Sequence, residues 1–439
     1  MSASDFDVVI VGARCAGAPL ATFLARAGAR VLLVDRAPLP SDQVLSTHTI
    51  HPPGFDVLEE LGVGEAVLSA VRPARRARLV RGDAAVDVCF DEGRIEVCPR
   101  RERLDGLLQD AARETGAELR DRTRAAEVLF DGRRAVGVRL EAGGATTDVR
   151  ADLVVGADGR HSTVAGQVGA EEYLAYDAPR AIYWTYWDAP SEWWSDRYPF
   201  DLYLAARGDD FRWLFQTDDD RILTGSNPAA DRVEAWREDP LGALRENLGR
   251  DPVTGPLVRG REPVTRVRGT IRERYFFRRA AGPGWALVGD AGHHKDYIIG
   301  DGITEALLQA RGLAAAILEG TDRALERWWR ARDVEALGPY FWGRDEGIPE
   351  PPGPLTQAVF RRIAADPDLV RRMTLLPEHE ATPYDLLPPG PVLRALAGCL
   401  LRGNVGALRE FLAQGRRAKE FRAELARREA LLEEARAAA

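Results

Sequence analysis

The stretch VVIVGARCAGAPLA, Val8 to Ala21, constrains this chain more than any other. The run Asp7 to Val11 reads as a buried parallel strand, because apolar residues occupy both of its faces. Small apolar residues at helical spacing begin at Ala16 and stop at Gly28; a second apolar run, Ala29 to Val34, ends at Asp35. Strand, glycine turn, helix and second strand make a βαβ unit of about 30 residues, the size such a unit requires. Gly12 and Gly17 hold the first and last glycine positions of G-x-G-x-x-G. Asp35 follows Gly12 by 23 positions, where a carboxylate can accept hydrogen bonds from a ribose 2′-OH. The whole unit points to a dinucleotide site, against the plainer reading of a tight strand–helix turn. Arg14 stands where the middle glycine belongs, the glycine that lets a backbone approach a pyrophosphate. The loop is therefore a variant, with the Arg14 side chain either pointing away or bonding a phosphate itself.

The chain has 439 residues, 45% of them hydrophobic, enough for a large core and for two or three domains or two interleaved ones. A net charge of −8 argues against a nucleic-acid partner, which needs a basic face. Cys15, Cys89, Cys98 and Cys399 form no C-x-x-C pair, which argues against a redox dithiol or zinc knuckle, and reduced thiols in a cytoplasm are expected. No apolar run reaches the length of a membrane span, so no membrane partner is expected. The strand pattern begins by Asp7 and leaves no room for a targeting segment. Lysine occurs only as Lys295 and Lys419 in a chain that otherwise chooses arginine.

Further along, Arg101 to Gly116 reads as an amphipathic helix with Leu104, Leu107, Leu108 and Ala111 on one face. Residues 117–140 read as strands about an Asp131-Gly132 turn. Ala151 to Asp158 is a buried strand that runs into GADGRHSTV. Arg180 to Arg221 is rich in Trp, Tyr and Phe and alternates in IYWTYWD and FRWLFQ, the pattern of an antiparallel sheet. Trp285 to Gly289 is another buried strand, followed by GDAGHHKDYIIGDGITEALLQA. After Ala331 the pattern is helical, with a proline-rich hinge at Pro349 to Pro354. The closing charged helix reads as a solvated surface or, as the alternative, a dimer contact. No internal repeat is present.

With GADGRHSTV and GDAGHHKDYIIGDGI in order behind the first loop, the chain resembles the FAD-dependent monooxygenases of the para-hydroxybenzoate hydroxylase type, up to about residue 320. That resemblance implies an α/β fold. A FAD-binding Rossmann-like (GR2-type) domain is interleaved with an α+β substrate domain carrying an antiparallel sheet, and C-terminal helices follow. The FAD-binding segments would be 1–75, 101–170 and 281–335, the substrate-domain segments 76–100 and 171–280, and the helical region 336–439.

The resemblance also implies roles. Gly12, Ala13, Arg14, Ala16 and Gly17 would face the FAD pyrophosphate at a helix N-terminus, where free N–H groups and the helix dipole favour an anion. Asp35, with Arg36 beside it, would hold the adenosine ribose. Thr47 and His48 would lie close to the cofactor, a solvated loop being the alternative for His48. Arg101 matches a residue near the ribityl-phosphate region. Asp158 and Gly159 match a second fingerprint associated with FAD and NAD(P)H, or form only a turn. Gly289 and Asp290 would meet the ribityl chain, unless Asp290 caps a helix. Gly300, Gly302 and Ile303 would start a helix at the flavin's pyrimidine edge, whose positive end stabilises negative charge on reduced flavin. Two departures stand out: Tyr297 where the family usually has Pro, and Asp301 where a Gln or neutral residue is frequent.

His293, His294 and Lys295 lie in the same stretch and are the candidate catalytic groups, either histidine serving as base. The six histidines show no H-E-x-x-H spacing, so no metal is expected. Trp184, Trp187, Trp213 and Tyr297 are the candidate substrate-binding residues. Alternate sheet positions face opposite ways, so some tryptophans belong to a core and others line an apolar pocket for a flat substrate. Trp193 and Trp194 fall in a loop that could form a lid.

The implied activity is a cytoplasmic, NAD(P)H-dependent and O2-dependent monooxygenase of secondary metabolism, alone or as a homodimer. It would hydroxylate or epoxidise a small aromatic substrate through a flavin C4a-hydroperoxide. Three alternatives remain at this point. One is a flavin-dependent reductase or dehydrogenase of the kind that reduces prenyl double bonds. The second is a flavin halogenase, although the W-x-W-x-I-P motif is absent and Lys295 is not where that family keeps its lysine. The third is a flavoprotein scaffold without turnover.

Overall fold

The computed structural model describes residues 4–41, 46–189 and 194–438. Its organising strand is Phe6–Val11, which pairs in parallel with Val31–Val34 on one side and with the end of Ala145–Gly156 on the other. Glu118–Arg120 and Trp285–Leu287 extend this parallel sheet outward. The chain leaves Phe6–Val11 in one direction and returns on its other side much later. That is a topological switch point, and a crevice opens there at the carboxyl ends of the strands. The turn at Gly12 sits at its mouth.

Ala145–Gly156 is longer than the Ala151 to Asp158 strand its sequence suggests. Its first half is mostly exposed and joins an antiparallel meander with Arg134–Ala142 and Arg124–Asp131. Only the second half is buried on both faces, and only that half reads as a strand from apolarity.

The aromatic segment forms a separate seven-stranded sheet in the order Arg268–Thr270, Ile182–Asp188, Arg221–Asn227, Asp210–Thr217, Leu202–Arg207, Arg76–Arg81, Ala84–Cys89. It is antiparallel except between Leu202–Arg207 and Arg76–Arg81. Trp184 pairs with Gly225, and Gly225 pairs with Trp213, so both indoles lie on one face. Ile182, Trp184, Tyr186, Trp213, Phe215 and Leu223 pack there against Ile298 and Ile299, the residues just ahead of the Gly302 helix. The opposite face carries Tyr183, Trp187, Leu214 and Ile222, which pack on Trp194, Trp236, Leu244 and Leu248. Trp187 is therefore a residue of the far core and not of a substrate pocket, because its place in the strand alternation turns it away. Trp194 is also core: it is buried and its indole N–H donates to the Phe200 carbonyl. It forms no lid, and Trp193 lies outside the described residues.

Asp322–Glu346 is a 25-residue helix whose first turn is capped by Thr321, the side chain accepting from Ala324 N–H at 3.1 Å. The proline-rich run links it to the next helix, Pro354–Ala364, which begins with proline at the position where a missing N–H costs nothing. The final helix, Gly406–Ala437, docks on Asp322–Glu346. Phe421 meets Phe341 at 5.7 Å between ring centroids, and Arg428 reaches the buried Asp333 at 3.2 Å. This helix is thus a packed element of its own chain, not only a solvated surface.

Candidate functional site

The two glycines of the first turn are required by the backbone itself. Gly12 has φ +107°, and a Cβ there would lie 2.3 Å from the Ala157 carbonyl oxygen. A Cβ on Gly17 would lie 1.8 Å from the Gly12 carbonyl oxygen. Helix Gly17–Arg26 starts with no side-chain cap and no acid in its first turn, so its positive end stays open to an anion. Ala13 and Ala16 are buried within this turn. Arg14 donates to Ser41 Oγ at 2.9 Å, which explains how the loop tolerates arginine: the side chain bonds a neighbouring loop. Asp35 accepts from the Ala13 N–H at 3.0 Å and the Ala37 N–H at 2.9 Å, each oxygen keeping a lone pair for a hydroxyl. Arg36 beside it is exposed. Gln109, which the sequence does not single out, donates to the Ala13 carbonyl at 2.8 Å and braces the turn from below.

At the far end of the crevice, Gly289 has φ +60° and its N–H donates to Gln309 Oε1 at 3.0 Å. Asp290 makes no cap; its side chain is half-exposed. Burial would raise its carboxyl, but His294 at 3.3 Å holds it down at about 2. Gly300 is left-handed at φ +71°, whereas Gly302 is helical with open space where a Cβ would project. Ile303 is buried beneath. The Gly302–Leu318 helix also begins without a side-chain cap. Arg101 is buried and bonds both oxygens of Asp105, at 2.9 and 3.0 Å, with Cys15 Sγ at 3.4 Å. Burial opposes the Arg101 charge, and Asp105 restores it; among the described residues the guanidinium Nε has no hydrogen-bond partner. Burial also pushes the Cys15 thiol up to about 11.

Asp158 is engaged by its own chain. Its carboxylate accepts from Ser162 Oγ and from the N–H groups of Thr163 at 2.7 Å and Val164 at 3.3 Å. It is the staple of a short helix start, and Gly159, at φ +80°, turns the chain into it.

Two buried layers flank the Gly302 helix start. On the aromatic face, His48 has φ +66°, and its Nε2 hydrogen-bonds the Tyr186 hydroxyl. Its ring meets Trp184 edge-on at 5.6 Å. Among the described residues, His48 Nδ1 and Trp184 Nε1 have no hydrogen-bond partner. Burial, reinforced by the Arg101 charge, depresses His48 to about 3, so its ring is neutral. Trp213 donates to Asn227 Oδ1 at 2.7 Å and stacks on Phe215 at 5.4 Å. Tyr297 donates to the Arg180 carbonyl at 3.0 Å, a strut between loop and sheet. Thr47 stands at the edge of this face, its carbonyl accepting from Cys98 Sγ at 3.5 Å.

The other layer is ionic. His51 Nδ1 lies 2.9 Å from Glu96 Oε1, and its Nε2 lies 3.2 Å from the Ile299 carbonyl. Burial works against its charge, yet Glu96 lifts it to about 9. Lys295 Nζ is 2.5 Å from Glu305 Oε2 and 3.3 Å from Asp301 Oδ2. His293 Nδ1 is 2.9 Å from the same Glu305 oxygen, and His379 Nε2 is 2.9 Å from Asp301 Oδ1. His294 lies between Asp290 at 3.3 Å and Glu273 at 3.6 Å, and these carboxylates overcome burial to lift it to about 9. The three candidate catalytic groups His293, His294 and Lys295 thus stand in a buried ionic cluster. All three are buried among carboxylates; the carboxylates keep His294 and Lys295 charged against the cost of burial, whereas burial pushes His293 down despite Glu305. Tyr186, Glu96, Glu305 and His379 were not singled out from sequence; strand alternation with Trp184 was the one signal that could have found Tyr186.

The model of the FAD binding domain family matches residues 5–321, and the chain belongs to that family. It is 31% identical over 353 residues to the digeranylgeranylglycerophospholipid reductase of Methanosphaerula palustris, spanning 76% of this chain and 83% of that one. Among solved structures, the myxobacterial chondrochloren halogenase CndH shares the fold with a TM-score of 0.68 at 23% identity, covering 77% of this chain and 81% of that one. The p-nitrophenol 4-monooxygenase PnpA of Pseudomonas putida DLL-E4 does so with a TM-score of 0.70 at 19% identity, covering 86% and 98%. The protein is a FAD-dependent oxidoreductase acting on a small organic molecule. The crevice fits the cofactor: two uncapped helix starts face it, Asp290 is half-exposed, Arg101 Nε has no hydrogen-bond partner among the described residues, and the space beyond Gly302 is open.

Proposed function

We propose that this enzyme is a monooxygenase that uses NAD(P)H and O2 to insert one oxygen atom into a small aromatic molecule. The Gly12–Gly17 turn, Asp35, Arg101, Asp290 and the start of the Gly302 helix would hold FAD. Bound there, FAD supplies two-electron chemistry, with one oxygen atom of O2 entering the substrate and the other leaving as water. The observation that carries the reading is the buried pair His48–Tyr186 on an aromatic face beside the Gly302 helix start.

Trp184, Tyr186 and Trp213 offer flat apolar surfaces that orient a ring and exclude water. With Nε2–H donating to the Tyr186 oxygen, His48 Nδ1 carries a lone pair for a substrate hydroxyl or N–H. A ring depressed to about 3 cannot store that proton; it accepts a hydrogen bond and orients the donor. A halogenase that depends on a free lysine is disfavoured, because Lys295 is bound by two carboxylates and Lys419 lies exposed on the final helix.

The reductase named above favours a second reading, the reduction of an isoprenoid double bond, since the same apolar face suits such a chain. Turnover with ¹⁸O2 separates the two. Labelled product that is absent under anaerobic conditions is expected; unlabelled product formed equally well without oxygen would replace the monooxygenase with the reductase. Within the monooxygenase reading, Trp184→Ala should admit water, raising hydrogen peroxide and lowering product while NAD(P)H is still consumed. Unchanged coupling would return Trp184 to the structural core.

A further inference from the structure

No helix among the described residues is long and apolar enough to cross a membrane. A different feature points outward from the C-terminal region. Helices Pro389–Leu401 and Gly406–Ala437 form a hairpin whose inner side is buried: Ala395, Leu396, Cys399 and Ala407 pack on Leu355. Its outer side and tip are apolar and exposed. Leu401 is 89% exposed and Val405 70%, with Leu393, Leu400, Leu408 and Leu412 exposed behind them. Leu393 and Leu400 are seven residues apart on one helix face, and Leu408 and Leu412 four apart on the other helix, so each pair shares a side. Single exposed apolar residues are ordinary, but five leucines and a valine on one hairpin mark an interaction surface.

The charges around this tip say what it meets. Between Pro389 and Arg416 the chain carries Arg394, Arg402, Arg409 and Arg416 against one acid, Glu410, although the whole chain has a net charge of −8. All four arginines are exposed, and among the described residues none forms an ion pair. Glu410 is engaged elsewhere: it accepts from the N–H groups of Leu355 at 2.8 Å and Thr356 at 2.9 Å, capping the neighbouring helix. An apolar tip ringed by unpaired arginines is complementary to a surface that is negative outside and apolar beneath. A second copy of the chain meets that condition poorly, because a two-fold pairing through this patch would set arginine against arginine.

We infer that the hairpin docks this enzyme reversibly on anionic lipid bilayers. Leu401 and Val405 enter the interface, and the four guanidinium groups remain at headgroup level on their apolar stems. The contact is peripheral and electrostatically steered, so it weakens with salt.

The test is co-sedimentation of the FAD-loaded full chain with vesicles. Sedimentation with phosphatidylcholine–phosphatidylglycerol vesicles, weakened by salt and absent with phosphatidylcholine alone, is expected. The Leu401→Asp/Val405→Asp double variant should lose it. Arg402→Ser and Arg409→Ser, which leave the apolar tip intact, should each lower partitioning about fivefold. Thermal midpoint and flavin absorbance should stay unchanged in all of them, since these side chains touch neither core nor crevice. A wild-type protein that stays in the supernatant overturns the inference, as does equal sedimentation of the wild type and the double variant. If light scattering instead reveals a concentration-dependent dimer that the double variant dissociates, the patch belongs to a second copy and the membrane is wrong.

Discussion

His48 and His51 are three residues apart, both buried, and driven in opposite directions: the first down to about 3, the second up to about 9. Desolvation is the largest influence on each and pushes both the same way. The partners differ. His48 faces the Tyr186 hydroxyl, which is neutral, with the Arg101 charge adding to its cost; His51 faces the Glu96 carboxylate. The aromatic face and the ionic layer beside the Gly302 helix are thus built on opposite electrostatic rules. One holds its histidine neutral among aromatic rings. The other gathers buried charges and balances them in place.

The most severe way to break this contrast is Lys295→Met. It would leave Asp301 and Glu305 buried near each other without their shared cation, a loss of about 3–5 kcal/mol. Urea unfolding of the FAD-loaded protein measures it. A cost below about 1 kcal/mol, the value of an exposed pair, would mean the layer is solvated and the contrast false.

The pH response comes next, on the order of 3 kcal/mol on each side. The folded value of His51 lies above its ordinary 6.5, so its contribution is complete below pH 6.5 and is lost as pH rises through about 9; His294 adds to the same alkaline limb. His48 has a depressed folded value, so its penalty appears as pH falls below 6.5 toward about 3. Thermal midpoints should peak near pH 6.5. His51→Gln should flatten the alkaline limb and His48→Gln the acid limb; variants that flatten the wrong limb would reverse the assignment.

A smaller effect tests the neutral side alone. Tyr186→Phe leaves His48 Nε2 without its partner, at about 1–3 kcal/mol in stability. If the orientation role of His48 holds, coupling of NAD(P)H consumption to product should fall as well, whereas a purely structural pair would change the melting curve only.

The least disruptive substitution is Gly302→Val. Its backbone is helical with open space beyond, so the fold should persist, with a small gain in helix propensity of about 0.3 kcal/mol. The new side chain would stand in the crevice between the two layers, and flavin affinity, read by absorbance after gel filtration, should drop. Wild-type flavin retention would show that this helix start does not approach the cofactor.

The first βαβ unit was legible because its signals are local. An apolar run, two glycines and an acid at fixed spacing each follow from backbone sterics within about 30 residues. The aromatic sheet was legible as a sheet but not in its facing. Alternation separates Trp184 from Trp187, yet which set meets Ile298 and Ile299 depends on a segment more than a hundred residues later. Arg14 shows the same limit: its partner, Ser41, is in another loop.

By itself, then, the sequence determined the dinucleotide unit, the order of the strands along the chain and the short motifs that mark the crevice, since steric and hydrophobic rules acting over a few turns are written in neighbouring residues. Only the tertiary structure decided what the ionisable side chains do. HHKD looked catalytic because His and Lys are reactive in isolation. Folded, His293, His294 and Lys295 lie against Glu305, Asp290, Glu273 and Asp301, while His48 lies against a phenol on a distant strand. A side chain's charge state depends on the dielectric and the partners within a few ångströms of it, and those are set by contacts between segments that the chain order does not reveal.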